Sequence, residues 1–410
     1  MQVHGSSRAA AGSFSSSRCA RPAAAPGSRR LTVAAAGGGD RVVCVGEALF
    51  DFLANEKGLK REEVKSWPTN ILPAYNFLAN EKGLKREEVK SWTPYPGGAP
   101  ANVATALTKL GVPTAFVSAL GNDERGEELM ALLKEIGVDT STVQRVDAPT
   151  RDIYVERTLD GDRVFAGFGL ESHKYCDCAL DAEKLPKDIL SGADFMVTGT
   201  LGLASPKTRA AMKAAAQLVK VGGGKVLVDV NWRPVFWADN GEAKREILEF
   251  LNMADIVKIS DADLEFLYDM QFVTALLNPC SVADRLPNAP AVLVTAGEEG
   301  AAYCCRSTKG EHTGFVPVFK VDVADTTGAG DAFTAGFVYK LLEAGGLDRL
   351  LSDPKALKEA VVFAAATGAL TCTKPGAIAA QPSLQQVQAL FEESKGWYNF
   401  WGAEAEASRR

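Results

Sequence analysis

Short, continuously apolar runs alternate with amphipathic segments along most of the chain. Strand-like ADFMVTGT, KVLVDVNW and DIVKIS are each followed by a segment with helical periodicity, the first by SPKTRAAMKAAAQLVKVGG. Single strands are also predicted for RVVCVGEALFDF, with Asp51 at its end, for TAFVSALG and for GFVPVFKVDVA. Strands that are apolar at nearly every position are buried on both faces, as in parallel sheets covered by helices. The sequence therefore predicts an α/β fold with a mostly parallel central sheet. Ligands of such folds bind beyond the carboxyl ends of the strands.

The first 40 residues do not follow this pattern. They are rich in Arg, Ser and Ala and contain no acidic residue before Asp40. This composition is typical of an organelle transit peptide, and the abundance of Ser and Ala favours the chloroplast stroma; a merely disordered tail is the alternative. We expect the folded domain to span 41–397, with a flexible tail at 398–410.

Composition excludes some classes of function. The net charge is −6 and there is no long block of Lys and Arg, which argues against direct binding of nucleic acid. No apolar run approaches the roughly 18–20 residues that span a bilayer. Eight cysteines form no CxxC pair, so most are expected to be small buried groups, with a redox-responsive Cys176 and Cys178 as the alternative. The three histidines have no partner motif, so a general base must be a carboxylate.

Two segments interrupt the alternation. Residues 152–168, DIYVERTLDGDRVFAGF, predict two strands joined at Asp160–Gly161. The sixteen residues FLANEKGLKREEVKSW occur at 52–67 and again, unchanged, at 77–92. A single identical pair is not a solenoid, which needs several diverged repeats. We interpret 68–92 as a duplicated insertion or a gene-model error. The first copy follows Asp51 whereas the second follows Asn76, so Asp51 is the functional position.

The segment DTTGAGDAF places small residues at the start of a helix. Gly328, Ala329 and Gly330 leave backbone N–H groups uncovered, and these amides together with the helix dipole attract anions. Asp331 would repel an anion unless it acts on the attacking group. We therefore predict that the amides bind a transferring phosphoryl group while Asp331 accepts the proton of a hydroxyl. The alternative is an ordinary helix N-terminus with Asp as a cap.

Other polar residues also lie at strand ends. In YPGGAPAN, Gly97 and Gly98 precede a helix that contains Asn102, and with Asp51 they form a set suited to sugar hydroxyls; a simple loop is the alternative. DVNWRPVFW places Asp229, Asn231 and Arg233 just past a strand, where Arg233 could bind phosphate or sugar. KISDADLEF offers Asp261 and Asp263 for hydrated Mg²⁺, with helix capping equally open. VTAGEEG is a turn for a nucleotide phosphate or a mere chain reversal.

Two separated motifs, PGGAPANVA and DTTGAGDAFTAGF, resemble the signatures of the ribokinase/pfkB family of carbohydrate kinases, and most closely its fructokinases. The resemblance runs from about Arg41 to Ser383. It implies a ribokinase-like three-layer α/β/α sandwich with a small β lid, formed here by parts of 52–95 and by 152–168. By position it implies Asp331 as catalytic base with Gly328–Gly330 as anion hole, sugar contacts at Asp51, Gly98 and Asn102, and ATP contacts at Thr295, Gly297, Gly300, Thr327, Gly328 and Gly330.

The resemblance further implies Mg–ATP as phosphoryl donor, a response to K⁺ in many members and a possible homodimer through the lid. The family's Asn-x-x-Glu motif appears here as Ser260-Asp261-Ala262-Asp263, so a metal role of the shorter Asp263 needs a water. Arg151 and Arg157 in the lid strand depart from the fructokinase pattern and favour an anionic sugar.

The predicted reaction is the phosphorylation of fructose on a primary hydroxyl. The alternatives are a non-catalytic fructokinase-like scaffold of a plastid transcription complex, or a kinase for ribose, adenosine or a sugar phosphate. Intact GAGD and Asp51 favour an enzyme.

Overall fold

The computed structural model describes residues 42–54, 91–157 and 163–394, all within one compact unit. The predicted transit segment, residues 68–90 of the duplicated block, the hairpin tip 158–162 and the tail 398–410 lie outside these residues. The strands are β1 Val42–Val45, β2 Leu49–Ala54, β3 Trp92–Gly97, β4 Thr114–Val117, β5 Ala119–Gly121, β6 Gln144–Val146, β7 Asp152–Arg157, β8 Arg163–Phe168, β9 Phe195–Thr198, β10 Lys225–Asp229, β11 Ile256–Ser260, β12 Ala291–Thr295, β13 Ala301–Ser307 and β14 Gly310–Val316. The helices are α1 Ala99–Lys109, α2 Glu124–Ile136, α3 Lys187–Gly192, α4 Pro206–Val221, α5 Asn240–Leu251, α6 Asp261–Tyr268, α7 Phe272–Leu277, α8 Cys280–Ala283, α9 Ala329–Ala344, α10 Leu347–Leu351, α11 Pro354–Thr371 and α12 Ala377–Ala380.

Eight strands form the central sheet in the order β14-β13-β12-β11-β10-β9-β1-β4. The six strands from β12 to β4 are parallel, whereas β13 and β14 are antiparallel additions at one edge. This confirms the predicted mostly parallel sheet. The apolar run after β14 was also expected to be strand, but the ladder ends at Val316 because Pro317 has no N–H to donate.

Helices cover both faces of this sheet. Within β1, Val42 and Cys44 belong to a core shared with α1, α9 and α11, while Val43 and Val45 belong to a second core shared with α4 and α5. Successive side chains of a strand point to opposite faces, so a strand that is apolar throughout feeds two cores. The predicted three-layer α/β/α architecture is confirmed.

A second, four-stranded sheet has the order β3-β2-β7-β8 and is formed by the segments from which a lid was expected. The run RVVCVGEALFDF was predicted as one strand, and this prediction is wrong. Gly46, with φ +145°, separates β1 from β2, and a Cβ there would lie 2.5 Å from Cγ of Pro100. The chain therefore leaves the central sheet at Gly46 and enters the small sheet. Asp51 consequently lies within β2 rather than at the end of the first strand.

The duplicated block lies in the connection between β2 and β3. Ala54 and Trp92 are register partners in the antiparallel β2–β3 pair, so residues 55–91 leave and re-enter the sheet at adjacent points. TAFVSALG, predicted as one strand, is divided into β4 and β5, and β5 pairs with β6. None of the helices in the described ranges is long and apolar enough to cross a membrane.

Candidate active site

A cavity of about 840 Å³ lies between the small sheet and the carboxyl ends of the central strands. This volume is within the range of about 300–1,000 Å³ usual for small-molecule sites. Its walls are the small sheet, the ends of β1, β10, β11 and β12, and the starts of α1 and α9. The position is the one that parallel α/β sheets use for ligands. Of the sequence-predicted residues, the cavity wall includes Asp51, Gly98, Asn102, Asn231, Arg233, Asp263, Thr295, Thr327, Gly328, Gly330 and Asp331.

A hydrogen bond joins the two helix starts at the centre of the cavity. Nδ2 of Asn102, in the first turns of α1, donates to Oδ2 of Asp331, in the first turn of α9, at 2.7 Å. The two residues are 229 positions apart in the chain. Asn102 is buried, and its Oδ1 has no hydrogen-bond partner within the described part of the chain. Because a buried polar atom normally has a partner, this oxygen is suited to accept a hydrogen bond from a ligand hydroxyl.

The carboxyl group of Asp331 is less acidic than an ordinary Asp. Burial, followed by the negative charge of Asp229, raises its pKa to about 6, against the opposing effects of Asn102, Lys258 and Arg233. A general base works best when its pKa is near the working pH. At neutral pH Asp331 is mostly ionised, yet it binds a proton more readily than a surface carboxylate does. Its placement and its pKa both suit the transfer of a proton from a hydroxyl.

The turn before α9 is held in place by Asp325. Its carboxylate accepts hydrogen bonds from the amide and hydroxyl of Thr327, at 2.9 and 2.7 Å, and from the amide of Gly376, at 2.8 Å. Gly328 has φ +78°, and a Cβ there would lie 2.8 Å from Cβ of Ala377. The turn therefore requires glycine at this position. Asp325 stands in the quoted motif, but sequence reasoning assigned it no task.

Of the three residues predicted to supply free amides to the anion hole, Ala329 does not line the cavity. Its N–H donates to the carbonyl oxygen of Thr326 at 3.2 Å and so closes the turn. The next N–H groups at a helix start have no partner within the helix, and here they belong to Gly330 and Asp331. The amides at this helix start that are placed to receive an anion are thus those of Gly330 and Asp331.

A buried ion pair lies directly beside these amides. Nζ of Lys258 is 2.9 Å from both carboxylate oxygens of Asp229, and Oγ1 of Thr334 donates to the same carboxylate at 3.1 Å. Nζ is only 3.1 Å from the point where a Cβ on Gly330 would lie. Burial acts to lower the pKa of Lys258, but Asp229 more than offsets this effect and the net pKa is raised. A permanent cation therefore borders the start of α9.

Sequence reasoning missed Lys258, although a signal was present. A lysine within the apolar strand IVKIS is rarely buried unless it is paired. It also missed Glu47, which lies between β1 and β2, next to Gly46, and lines the cavity. The amide of Ala99 donates to Oε1 of Glu47 at 3.2 Å. Burial, followed by the charge of Asp177 and then that of Asp331, raises the pKa of Glu47 to about 8. Glu47 is therefore largely protonated at neutral pH.

The predicted sugar contacts converge on one side of the cavity. Asp51 reaches it from β2, Gly98 and Asn102 from the start of α1, and Asn231 and Arg233 from the segment after β10. Gly97 lies behind this wall. A Cβ on Gly97 would lie 3.0 Å from Oδ2 of Asp51, so its small size leaves room for that carboxylate.

One of the three residues of the predicted nucleotide turn lines the cavity. Thr295, at the end of β12, lines the cavity, whereas Gly297 and Gly300 do not. Gly300 has φ +101°, and a Cβ there would lie 2.5 Å from the carbonyl oxygen of Val316. Its glycine is thus required by the close approach of β14, a structural role within the β12–β13 turn.

The two predicted metal ligands occupy different environments. Asp261 is exposed at the start of α6 and does not line the cavity, because the helix directs it away. Asp263 is fully buried and accepts hydrogen bonds from the amides of Trp232 and Ser260, both at 2.8 Å, and from the Ser260 hydroxyl at 2.6 Å. Ser260 and Asp263 form a capping box, which was the open alternative. The carboxylate of Asp263 is therefore largely engaged by groups of the protein itself.

Arg151 does not face the cavity, so the expectation that it favours an anionic sugar is wrong. Its guanidinium is 1% exposed and binds both carboxylate oxygens of Asp177, at 2.7 and 2.9 Å. The rings of Phe168, Tyr175 and Phe236 lie within about 5 Å of it. This arginine fixes the base of the small sheet. The side chain of Arg157 is outside the described residues.

Comparison with known proteins places the chain in a family. The pattern of the pfkB family carbohydrate kinases matches residues 40–384. Fructokinase-1 of Zea mays is 35% identical over 362 residues, which cover 88% of this chain and 100% of the maize protein. The probable fructokinase-6, chloroplastic, of Arabidopsis thaliana is 35% identical, over 84% of this chain and 81% of that protein.

Solved structures give the same result. A fructokinase from Xylella fastidiosa with bound ATP matches with a TM-score of 0.70 and 29% identity, over 86% of this chain and 98% of that chain. A double mutant of fructokinase from Vibrio cholerae O395, in a form with fructose, ADP and potassium ion bound, matches with a TM-score of 0.68 and 26% identity, over the same shares.

The fold and the cavity define a phosphotransferase that acts on a sugar hydroxyl. The chain belongs to the pfkB family of carbohydrate kinases.

Proposed function

We propose that this sugar kinase is an ATP-dependent fructokinase that converts D-fructose and ATP to fructose 6-phosphate and ADP. The observation that carries the proposal is the 2.7 Å contact between Asn102 and Asp331, which sets a base of pKa about 6 at a helix start inside the cavity. Plant fructokinases of about 35% identity and the fructose-bound relative support the choice of sugar.

The proposed reaction needs few protein groups. The carboxylate of Asp331 accepts the proton of the primary hydroxyl while that oxygen forms a bond to the γ-phosphorus. The bond from the γ-phosphorus to the bridging oxygen breaks, and its electron pair remains on the ADP. Amides of Gly330 and Asp331 and the ammonium of Lys258 balance the charge of the transferring group. Because such transition states depend mainly on alignment, the rigid turn held by Asp325 is as necessary as the base.

Substrate contacts follow from the cavity wall. Asp51 and Asn231 present a carboxylate and an amide to sugar hydroxyls, while Thr295 and Thr327 border the nucleotide phosphates. A Mg²⁺ ion bound with ATP would neutralise phosphate charge at this site. The described cavity residues hold no cluster of free carboxylates for it, so the ion would be held mainly by the phosphates, with Asp263 acting through a water.

A panel of sugars tests the proposal. Fructose, glucose, ribose, adenosine and fructose 6-phosphate are each supplied with ATP, and ADP release is measured for the wild type and for Asp331→Asn. We expect the highest kcat/KM for fructose and a loss of about 10²–10⁴-fold in kcat in the variant. Preference for another acceptor would replace fructose but leave the kinase, whereas no release with any acceptor would favour a non-catalytic scaffold.

Three further proposals accompany the choice of sugar, and the first two are supported by relatives. Location in the plastid stroma is supported by the chloroplastic relative, and import of a fusion of residues 1–40 to a reporter tests it. Activation by K⁺ is supported by the potassium-bound relative and is tested by replacing K⁺ with Na⁺. A homodimer through the small sheet is tested by light scattering.

A further inference from the structure

Two cysteines, one in α8 and one in β13, lie unusually close together. Cys280 is the first residue of α8 and Cys304 is in the middle of β13, and their sulfur atoms are 2.7 Å apart. Non-bonded heavy atoms that merely pack together lie about 4 Å apart. Disulfide sulfurs are separated by about 2.0 Å. The two side chains are thus oriented toward each other at a distance that only a small rotation separates from a covalent bond.

The surroundings of the pair can support thiol exchange. A carboxylate oxygen of Glu311 lies within 4.8 Å of both sulfurs and can receive a thiol proton. Nε of Arg306 donates to this carboxylate at 2.9 Å and keeps it in position. Cys280 is partly exposed whereas Cys304 is buried, so an oxidant in solution reaches Cys280 first. Burial raises the pKa of both thiols, so proximity rather than acidity promotes the second step.

We propose that Cys280 and Cys304 form a reversible disulfide that cross-links α8 to β13. The Cys280 thiolate attacks one sulfur of a low-molecular-weight disulfide, such as oxidised glutathione, and expels one thiolate. The Cys304 thiolate then attacks the Cys280 sulfur of the mixed disulfide and expels the second. The protein loses two protons and two electrons, and the oxidant is reduced to two thiols. This modification does not depend on the proposed sugar specificity.

The same three side chains could also attract a soft cation, but the geometry favours the disulfide. Two thiolates on one tetrahedral zinc, with Zn–S distances of about 2.3 Å, would lie about 3.8 Å apart. The sulfurs here are more than 1 Å closer than that. In addition, Glu311 is already held by Arg306 and would have to exchange this contact for the metal.

The experiment counts thiols in the full chain, which contains eight cysteines. The folded protein is equilibrated with reduced or oxidised glutathione, quenched with acid, unfolded and alkylated, and intact mass and linked peptides are measured. We expect eight alkylated thiols after reduction and six after oxidation, with a peptide that links Cys280 to Cys304. The oxidised form should also melt a few degrees higher, because the cross-link restricts the unfolded chain.

Variants make the result specific. Cys304→Ser should give seven thiols after reduction and no linked peptide after oxidation, where Cys280 stops at the mixed disulfide with glutathione. The control Cys178→Ser should give seven thiols after reduction and five, with the linked peptide, after oxidation. Eight thiols after oxidation, or a linked peptide that joins other cysteines, would overturn the proposal. A bound metal ion would give a different result: the two thiols of the folded protein would resist alkylation, the mass of the chain would not fall by two units, and a chelator would restore alkylation. That result would overturn the proposal in favour of a metal site.

Discussion

Replacing the proposed base should make the protein more stable while it abolishes activity. The pKa of Asp331 is about 6, against 3.8 for an ordinary Asp. Each unit of pKa difference corresponds to about 1.4 kcal/mol, so the full shift sets an upper limit of about 3 kcal/mol for the free-energy cost of the buried charge. Because Asp331 is only partly buried, solvent reduces this cost, and we expect about 1–2 kcal/mol. Asp331→Asn removes the charge and retains an oxygen that can accept the Asn102 hydrogen bond.

The sign of the effect depends on pH. Since the folded pKa is raised, protonation favours the folded state: the cost is absent below about pH 4, grows between pH 4 and 6 and is complete above pH 6. Thermal unfolding of the wild type and Asp331→Asn should therefore differ by a few degrees at pH 8 and agree at pH 4. Asp331→Ala serves as a control that loses the hydrogen bond as well. If Asp331→Asn is less stable than the wild type at pH 8, the reasoning about the buried charge is refuted.

The remaining predictions concern neighbouring groups. Lys258→Met should destabilise the fold by about 3–5 kcal/mol because Asp229 loses its buried partner. Lys258→Met/Asp229→Leu should recover most of that stability in denaturant unfolding but not the activity; equal stability of the two variants would contradict the pairing. Since the pKa of Glu47 is about 8, kcat/KM of the wild type should fall above pH 8, where Glu47 becomes negatively charged in the same cavity as Asp331. Glu47→Gln should lack this fall. Deletion of 68–92 shortens the β2–β3 connection about threefold and should therefore stabilise the small sheet by about 1 kcal/mol. Amide hydrogen exchange of the small sheet measures this effect, and unchanged protection would show that the duplicated block does not destabilise the sheet.

The central sheet could be predicted from the sequence because its signal is local and repeated. A strand such as β9, FMVT, is buried throughout and apolar at all but its last position, and an amphipathic helix follows it; these two patterns suffice to place it in a covered parallel sheet. The division of RVVCVGEALFDF into two strands was not predictable in the same way. It depends on Gly46, whose positive φ is required by Pro100 on another element. Hydrophobic pattern alone does not reveal such a long-range contact.

The candidate site was predictable to the extent that its residues stand in short motifs. Asp331 and Asn102 were predicted because the glycines and small residues beside them mark helix starts, and Asp51 because the repeat distinguishes it from Asn76. Lys258 carries no such mark, and Glu47, although it stands between Gly46 and Ala48, lies inside an apolar run. A charged residue within a buried strand must have a partner or an unusual pKa. The presence of a charged residue inside an apolar run was therefore the available signal.

The arginine of the predicted lid strand shows why charge alone could not define the substrate. Arg151 directly precedes β7, in which Ile153 and Val155 line the cavity, yet its guanidinium is buried against Asp177 and three aromatic rings. Because Arg151 lies outside the strand, the alternation of β7 does not fix its direction, and the buried partner Asp177 decides it. The buried pair leaves Arg233 as the arginine on the described cavity wall, with its Nη1 bound to the carbonyl oxygen of Trp232. Lys258 on the same wall is already paired with Asp229, so Asp51 and Asp331 outnumber the single positive charge of Arg233, a balance that suits a neutral sugar better than an anionic one.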